Sequence, residues 1–367
     1  MRKKVAIIIP TKNRSKFLVE LLKYYNEIEC RHTIYIGDAS NSKHVGIVLS
    51  VIKSLNNKIN IVHKQYPEFC RGARDIGITV KKMLEVVEEE YVVYSGDDDY
   101  YIPRALDKCV DFLETNLDYS SVHGFGNFVK YDENIGKSII GGRYYLNEYQ
   151  GVSGAERLKI FINKSSNLLM SIHRKESFMR ACRNMELLTA TLFIELMPGS
   201  MSTTLGNSKR LNELYLIRGI HGARDVQPKL IENIIDPEWL NSLQIYIRTL
   251  SDEIKTVDGV DEESAKQIVK QGLSMYLKRS IEEAYCEGEA LSRKNLGKRI
   301  LGKMKKMLPL FVKNFAKKNI GLFINDKKLQ ESICYTSELL PEAEPYYNER
   351  MAILMSFNRI ENVSLAE

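Results

Sequence analysis

The stretch Tyr91–Pro103 reads YVVYSGDDDYYIP: β-branched and aromatic residues, a glycine, then three consecutive aspartates, Asp97, Asp98 and Asp99. Such an apolar run predicts a buried strand, which would hold the aspartates rigidly at the carboxyl edge of a sheet. Like charges that close repel and need a compensating cation, and oxygen-rich sites suit magnesium or manganese. On composition alone an Asx-type turn with three solvated carboxylates is an equal alternative. The surrounding segments decide between the two.

Upstream, Val5–Ile9 is an apolar β-branched run ended by Pro10. Phe17, Leu18, Leu21, Leu22 and Tyr25 then recur at helical spacing behind Asn13, a candidate N-cap. Thr33–Ile36 predicts a second strand ending in Gly37 and Asp38, with a second helix over 45–55, a third strand over Ile59–His63 and a third helix over 73–87. Strict alternation of apolar strands with helices predicts an α/β fold whose mostly parallel sheet is covered on both faces. Ligands of such sheets bind beyond the carboxyl ends of the strands. Asn13 with Arg14, Asp38, and Asp97–Asp99 all fall at such ends. Downstream, Pro103 opens a helix through Leu113, and Ser121–Val129 predicts a further strand. The Gly- and Tyr-rich stretch 131–150 predicts a loop or hairpin over the site, a candidate lid. Leu168–His173 is strand-like and Glu176 onward helical. From about Asp225 the pattern is mostly helical, with Pro228 and Pro237 marking the change, so the chain divides into 1–225 and 226–367.

The 367 residues are 44% hydrophobic and 27% charged, an ordinary globular balance. No apolar run approaches the roughly 18 residues of a membrane span, and the apolar part of MRKKVAIIIP ends too early for a signal peptide. A cytoplasmic protein is expected. Its six cysteines are scattered singly without CxxC spacing, which indicates neither a zinc site nor a disulfide framework. The net charge of +6 is concentrated in residues 293–318, where ten Lys and Arg stand with no acidic residue among apolar residues at three-to-four spacing. That is a cationic amphipathic pattern: either a helix packed on the rest of the chain with a solvated basic face, or a segment docking on anionic lipid from the cytoplasmic side.

Four strings in order, IIIPTKNR, GDAS, RGARDIG and SGDDDYYIPRAL, resemble the family 2 inverting glycosyltransferases of the GT-A fold, bacterial surface-glycan type, over Val5 to His221. The resemblance implies a nucleotide-sugar donor, commonly UDP-linked, a divalent metal (Mn²⁺ or Mg²⁺), and a glycan or lipid-linked acceptor. It implies that Pro10, Thr11, Asn13 and Arg14 line the nucleotide pocket, that Asp38 bonds the base, and that Gly72, Ala73 and Arg74 approach the diphosphate. Asp99 would be the principal metal ligand, Asp97 a ligand of the ribose or metal, and Asp98 a less definite neighbour in the donor pocket. His221, in YLIRGIHGARD, would be a further metal or phosphate contact, with Arg218 and His173 as weaker phosphate and acceptor contacts. The family's asparagine is replaced here by Asp75, whose charge would repel a phosphate. For the general base it points to the helix after Leu168–His173, where TLFIELMPGSMS sets Glu195 among apolar residues, a setting that would raise its pKa. Asp225 is the reserve.

Two other classes share parts of this pattern. A sugar-phosphate nucleotidyltransferase uses a Gly-rich loop after its first strand, and PTKNR has no glycine. A non-catalytic membrane or nucleic-acid binding protein would rely on the basic tail, but the aspartate triplet repels a phosphate backbone and no RNA-module aromatics interleave with the basic residues, so no nucleic-acid partner is expected.

Overall fold

In the computed structural model, which describes residues 3–55, 58–67, 73–221, 237–282, 335–336, 340 and 342–364, the predicted strand before the aspartates is β4 (Tyr91–Tyr94). Beside it lie β1 (Val5–Thr11), β2 (Thr33–Asp38) and β3 (Asn60–Gln65), all parallel. Between them run α1 (Ser15–Glu27), α2 (Ser42–Ser54) and α3 (Ala73–Leu84). The strand–helix alternation is therefore as the sequence predicts. The chain continues through β5 (Asp99–Tyr101), α4 (Pro103–Thr115), β6 (Tyr119–Asp132), β7 (Lys137–Tyr144), α5 (Gly154–Asn163), β8 (Ile172–Arg174), α6 (Lys175–Ala181), α7 (Thr191–Leu205) and β9 (Asn207–Ile220).

These strands make one sheet in the order β3-β2-β1-β4-β8-β6-β9-β5, with β7 beside β6. The parallel ladders β3-β2-β1-β4 and β6–β9 fit the predicted parallel sheet, and the second half adds antiparallel pairs to make it mixed. There β4–β8, β8–β6, β6–β7 and β5–β9 are antiparallel, and only β6–β9 is parallel. The β6–β7 pair is antiparallel because a short turn joins the two strands, and antiparallel neighbours need no helical crossover. The Gly- and Tyr-rich stretch is this hairpin. Leu168–Met170 is a 3₁₀ turn rather than strand, leaving only Ile172–Arg174 in the sheet.

Alternation along the strands builds two cores. Val5, Ile7 and Ile9 of β1 pack into one apolar cluster with α1 and α4, while Ala6 and Ile8 face the other with α3, α6 and α7. The helical C-terminal third adds to both. α8 (Trp239–Asp258) and the helix over residues 262–282, α9, bury Tyr246, Leu250 and Val269 against α7 and α5. α10 (Tyr347–Ser364) lies on α1 and buries Ile353 and Phe357 in the first cluster. Ser356 Oγ donates to the Glu20 carbonyl at 3.1 Å, and Arg104 grips the Glu349 carboxylate with two bonds of 2.6 and 2.8 Å. The basic segment 293–318 and the 225/226 boundary lie outside the described residues. No helix among the described residues is long and apolar enough to cross a membrane.

Candidate active site

Register brings the predicted polar clusters to one edge. Thr11, the last residue of β1, pairs with Asp38, the last of β2, while β4 alongside runs into the turn at Gly96. A Cβ on Gly96 would lie 2.9 Å from both Asp98 Oδ1 and Asp99 Oδ2. Glycine is what lets two carboxylates fold over this turn.

The three aspartates then diverge. Asp97 accepts from Thr11 Oγ1 at 2.7 Å and Arg14 Nε at 2.8 Å. Asp98 Oδ2 accepts from Arg14 Nη2 at 2.9 Å and meets His221 Nε2 at 2.5 Å. Asp99 opens β5 opposite Arg218 of β9, and its Oδ1 accepts from Arg218 Nε at 3.0 Å. Phe17 supports two of these partners: the Arg14 guanidinium lies 4.4 Å from its ring centroid, and the His221 ring is stacked on it at 4.3 Å. Tyr144 does the same for Arg218, at 4.7 Å.

Electrostatics separates Asp97 from Asp98. Burial pushes the Asp97 carboxyl up to about 6, outweighing Arg14 and the Thr11 bond. Burial acts on Asp98 too, but the His221 bond and the Arg14 charge more than offset it, and its pKa falls below the ordinary value. Both arginines are driven the other way. Burial disfavours their charge, yet the facing carboxylates hold Arg14 and Arg218 above the ordinary guanidinium value. Asp98 thus has its charged form favoured by two nitrogen partners.

Other expected residues occupy different environments. Asp38 is buried, with Oδ1 accepting from the Ser40 N–H at 2.9 Å and Oδ2 facing His63 Nε2 at 3.0 Å. Burial raises its pKa, but the His63 and Ser40 bonds win and it stays low. One oxygen holds the β2–α2 turn and the other ties β2 to His63 of β3. Asn13 is not an N-cap: it adopts a left-handed φ of 54°, its side chain accepts from the Asn41 N–H at 2.9 Å, and Arg14 takes the cap position without a side-chain bond. Pro10 sits half-buried in β1 opposite Gly37. Gly72, the side chain of Arg74 and Asp225 lie outside the described residues; Ala73 and Asp75 stand in the first turn of α3.

The apolar setting expected for Glu195 is corrected. Ile194 and Leu196 are buried, but Glu195 between them is exposed, because successive helical residues step about 100° around the axis and the middle one of three points outward. His173 is also reassigned. It is fully buried in β8, with Nε2 donating to the Leu168 carbonyl at 2.8 Å and Nδ1 3.3 Å from Ser202 Oγ. The sequence reading missed Phe17, Tyr144 and His63. Phe17 and His63 lay in periodic apolar patterns that read as core or strand, and nothing in a sequence marks an aromatic ring as the floor of a charged site.

The buried histidines predict an acid sensitivity. Burial pushes His32 to about 4, His123 to about 3 and His173 to about 4. A folded value below the unfolded one, about 6.5, means stability fully present above pH 6.5 and lost as pH falls towards 4, because the unfolded chain takes up protons that the native one refuses. Urea unfolding at pH 5 against pH 7 should show a loss of about 2 kcal/mol per histidine, offset in part by Asp97, whose raised value acts in the opposite direction. Equal stability at both pH values would contradict the buried, neutral state.

The donor set fits a divalent ion. Among the described residues no three His, Cys, Asp or Glu side chains form a cage. Asp98 and His221 together offer one carboxylate and one imidazole, and the His221 Nδ1 is buried without a hydrogen-bond partner. Two protein ligands suit an ion that draws the rest of its shell from phosphate oxygens and water.

Residues 6–172 match the model of the family described as "Glycosyl transferase family 2". The matched region contains Thr11, Arg14, Asp38 and the aspartate triplet. No curated protein matches the chain. Among solved structures, S. aureus TarS 1–349 in complex with UDP-GlcNAc is 15% identical, with 99% of this chain and 92% of that one covered and a TM-score of 0.49. The longer S. aureus TarS chain is 17% identical with a TM-score of 0.48; 74% of this chain is covered but only 43% of that chain. The mannosyltransferase PcManGT from Pyrobaculum calidifontis, in complex with GDP-Man and Mn²⁺, is 12% identical over 79% of this chain and 87% of that one, with a TM-score of 0.41. The α/β sheet flanked by helices, with a helical C-terminal region, is the architecture that the GT-A resemblance implies.

Proposed function

We propose that the protein is an inverting glycosyltransferase that moves a sugar from a nucleotide diphosphate donor, UDP-linked in the first instance, to an acceptor hydroxyl on a glycan or lipid-linked chain. The observation that carries this reading is the pairing of Asp98 with His221 beside Arg14 at the carboxyl edge of the sheet, where Asp98 and Arg14 belong to the region that matches a glycosyltransferase family model. An anionic diphosphate needs cations where its charge grows as the sugar leaves.

In this reading Asp98 and His221 would hold the ion, with Asp97 beside them. When bound, the metal supplies charge neutralisation for the departing diphosphate without a proton transfer. Arg14, which now bridges Asp97 and Asp98, is the guanidinium nearest the incoming phosphates, and Phe17 fixes its plane. Thr11 orients Asp97. Arg218 neutralises Asp99 and keeps the third carboxylate in the sheet, so we assign Asp99 to support rather than to principal metal ligation. The sugar nucleotide's remaining contacts would come from Pro10, Asn13, Gly72 and Arg74.

Glu195 is the proposed base. Exposed on α7, it is reachable by an acceptor and takes the hydroxyl proton as the oxygen attacks the anomeric carbon. Glu195→Gln should lower transfer about 10²-fold, the low end of general-base contributions, with unchanged donor binding. Unaltered turnover in that variant removes Glu195 from the mechanism and turns attention to Asp225.

The test of the function itself is hydrolysis and transfer with a panel of nucleotide sugars and manganese. If no nucleotide sugar is turned over and no nucleoside diphosphate with metal raises the melting temperature, the proposal fails. The basic stretch 293–318 is proposed to bring this site to an anionic lipid surface; flotation with anionic but not neutral vesicles is the expected result.

A further inference from the structure

A second basic cleft lies on the same strands, away from the aspartates. β6 and β9 pair at His123–Arg210 and again at Phe125–Leu214, so β9 carries surplus residues between the two pairings and bulges there. Gly124 makes the bulge possible, since a Cβ at that position would lie 2.2 Å from the Glu213 carbonyl oxygen. Leu211 and Asn212 on the bulge, with Phe125, Arg143, Tyr145 and Arg210, border a cleft of about 180 Å³. That is smaller than the roughly 300–1,000 Å³ of a site for a drug-sized ligand. It suits one sugar-sized unit, not a nucleotide.

Both arginines of the cleft are exposed, each has one anchoring contact, and neither forms a salt bridge among the described residues. Arg210 Nη1 donates to the Leu146 carbonyl at 3.3 Å, and the Arg143 guanidinium lies over the Phe125 ring at 5.1 Å. Among the described residues no carboxylate forms a salt bridge with either guanidinium; the Arg210 charge helps hold Glu148 low, but the hydrogen bonds of the nearby acids go to other partners. Glu148 is bound by Lys209 Nζ at 3.0 Å and by the Arg210 backbone N–H at 3.3 Å, and Glu213 by Lys108 Nζ at 2.7 Å. Two like charges bordering one cleft repel, and an oxyanion between them relieves the repulsion. The guanidinium fork matches phosphate and carboxylate in a bidentate manner. Tyr145, 62% exposed, adds aromatic surface for the apolar face of a sugar ring.

We propose that this cleft binds a sugar unit bearing a phosphate or carboxylate, and that it is the distal grip on an anionic glycan acceptor. Only the word acceptor rests on the transferase reading; anion binding by the cleft stands without it. From Arg210 to Arg218, β9 rises at most roughly 26 Å at about 3.3 Å per residue, less where the bulge takes up chain. The cleft therefore holds a part of the chain remote from the reacting hydroxyl, which fits an extended ligand.

The test maps arginine reactivity in the full-length protein. Phenylglyoxal modification followed by peptide mass spectrometry is run with glucose 6-phosphate, glucuronate, glucose, or UDP with manganese. Arg143 and Arg210 should be modified at least threefold more slowly with glucose 6-phosphate or glucuronate and at the free rate with glucose. Protection by the phosphate alone assigns the ligand as a phosphorylated glycan, and by glucuronate alone as a uronic acid chain. Equal modification with and without both anions, or equal protection by glucose, overturns the proposal. Arg14 in the same digest reports the donor site through protection by UDP with manganese, so failure of the donor reading is visible separately.

Discussion

Asp98→Asn should lower glycosyl transfer on the order of 10³-fold, the scale seen when one preorganised electrostatic partner of a transition state is removed. Asparagine keeps the size of the side chain and hence the turn over Gly96. It removes the negative charge that Arg14 and His221 share, and turns part of the acceptor into a donor facing donors. The measurement that isolates the site is stabilisation by UDP and manganese, because a ligand that binds only the folded state raises stability by about 2.7 kcal/mol at 100 times its Kd. Wild type should show the full rise and Asp98→Asn should lose its manganese-dependent part. Asp99→Asn is the contrasting variant. Asp99 is 2% exposed and pairs with Arg218 across the sheet, so its loss should leave Arg218 without its partner and lower stability before any ligand is added. If Asp99→Asn abolishes the manganese response at unchanged stability while Asp98→Asn retains it, the ligand assignment is reversed.

Phe357→Ala should cost about 3–5 kcal/mol, the range for emptying a phenylalanine site in a core. The ring is fully buried in the cluster shared by α10, α1 and the sheet. Its Cε2 is 3.0 Å from where a Cβ on Gly219 would be, and the Gly219 N–H donates to the Asp98 carbonyl at 3.1 Å. The C-terminal helix therefore backs the strand end that carries Arg218 and leads to His221. Urea unfolding gives the free energy, with Val152→Ala, at 99% exposure, as a control expected to stay within about 0.5 kcal/mol. A loss below 1 kcal/mol for Phe357→Ala would show that α10 does not pack there.

These variants also separate what was legible in the chain. The first four strands, their helices and the hairpin were readable because their signals are local: an apolar run, a 3.6-residue period, a glycine or proline at the break. The convergence of Arg14, Asp38 and Asp97–Asp99 on one edge followed from strand alternation. The second half was less readable. β8 and β5 are three residues each, too short to show a period, and their pairing is set by partners far away in the chain.

The sequence by itself determined an α/β sheet with a carboxylate triplet at a strand end, because period and turn chemistry act over a few residues. Only the tertiary structure decided which aspartate meets which cation. Arg218 reaches Asp99 across 119 residues, and His221 reaches Asp98 across 123. It alone turned Glu195 outward, set one oxygen of Asp38 on Ser40 and the other on His63 of β3, and seated the C-terminal helix on α1, 336 residues away. Each of these depends on which side of a turn, strand or helix faces a distant neighbour, and that is fixed when the layers pack, not by any local pattern of residues.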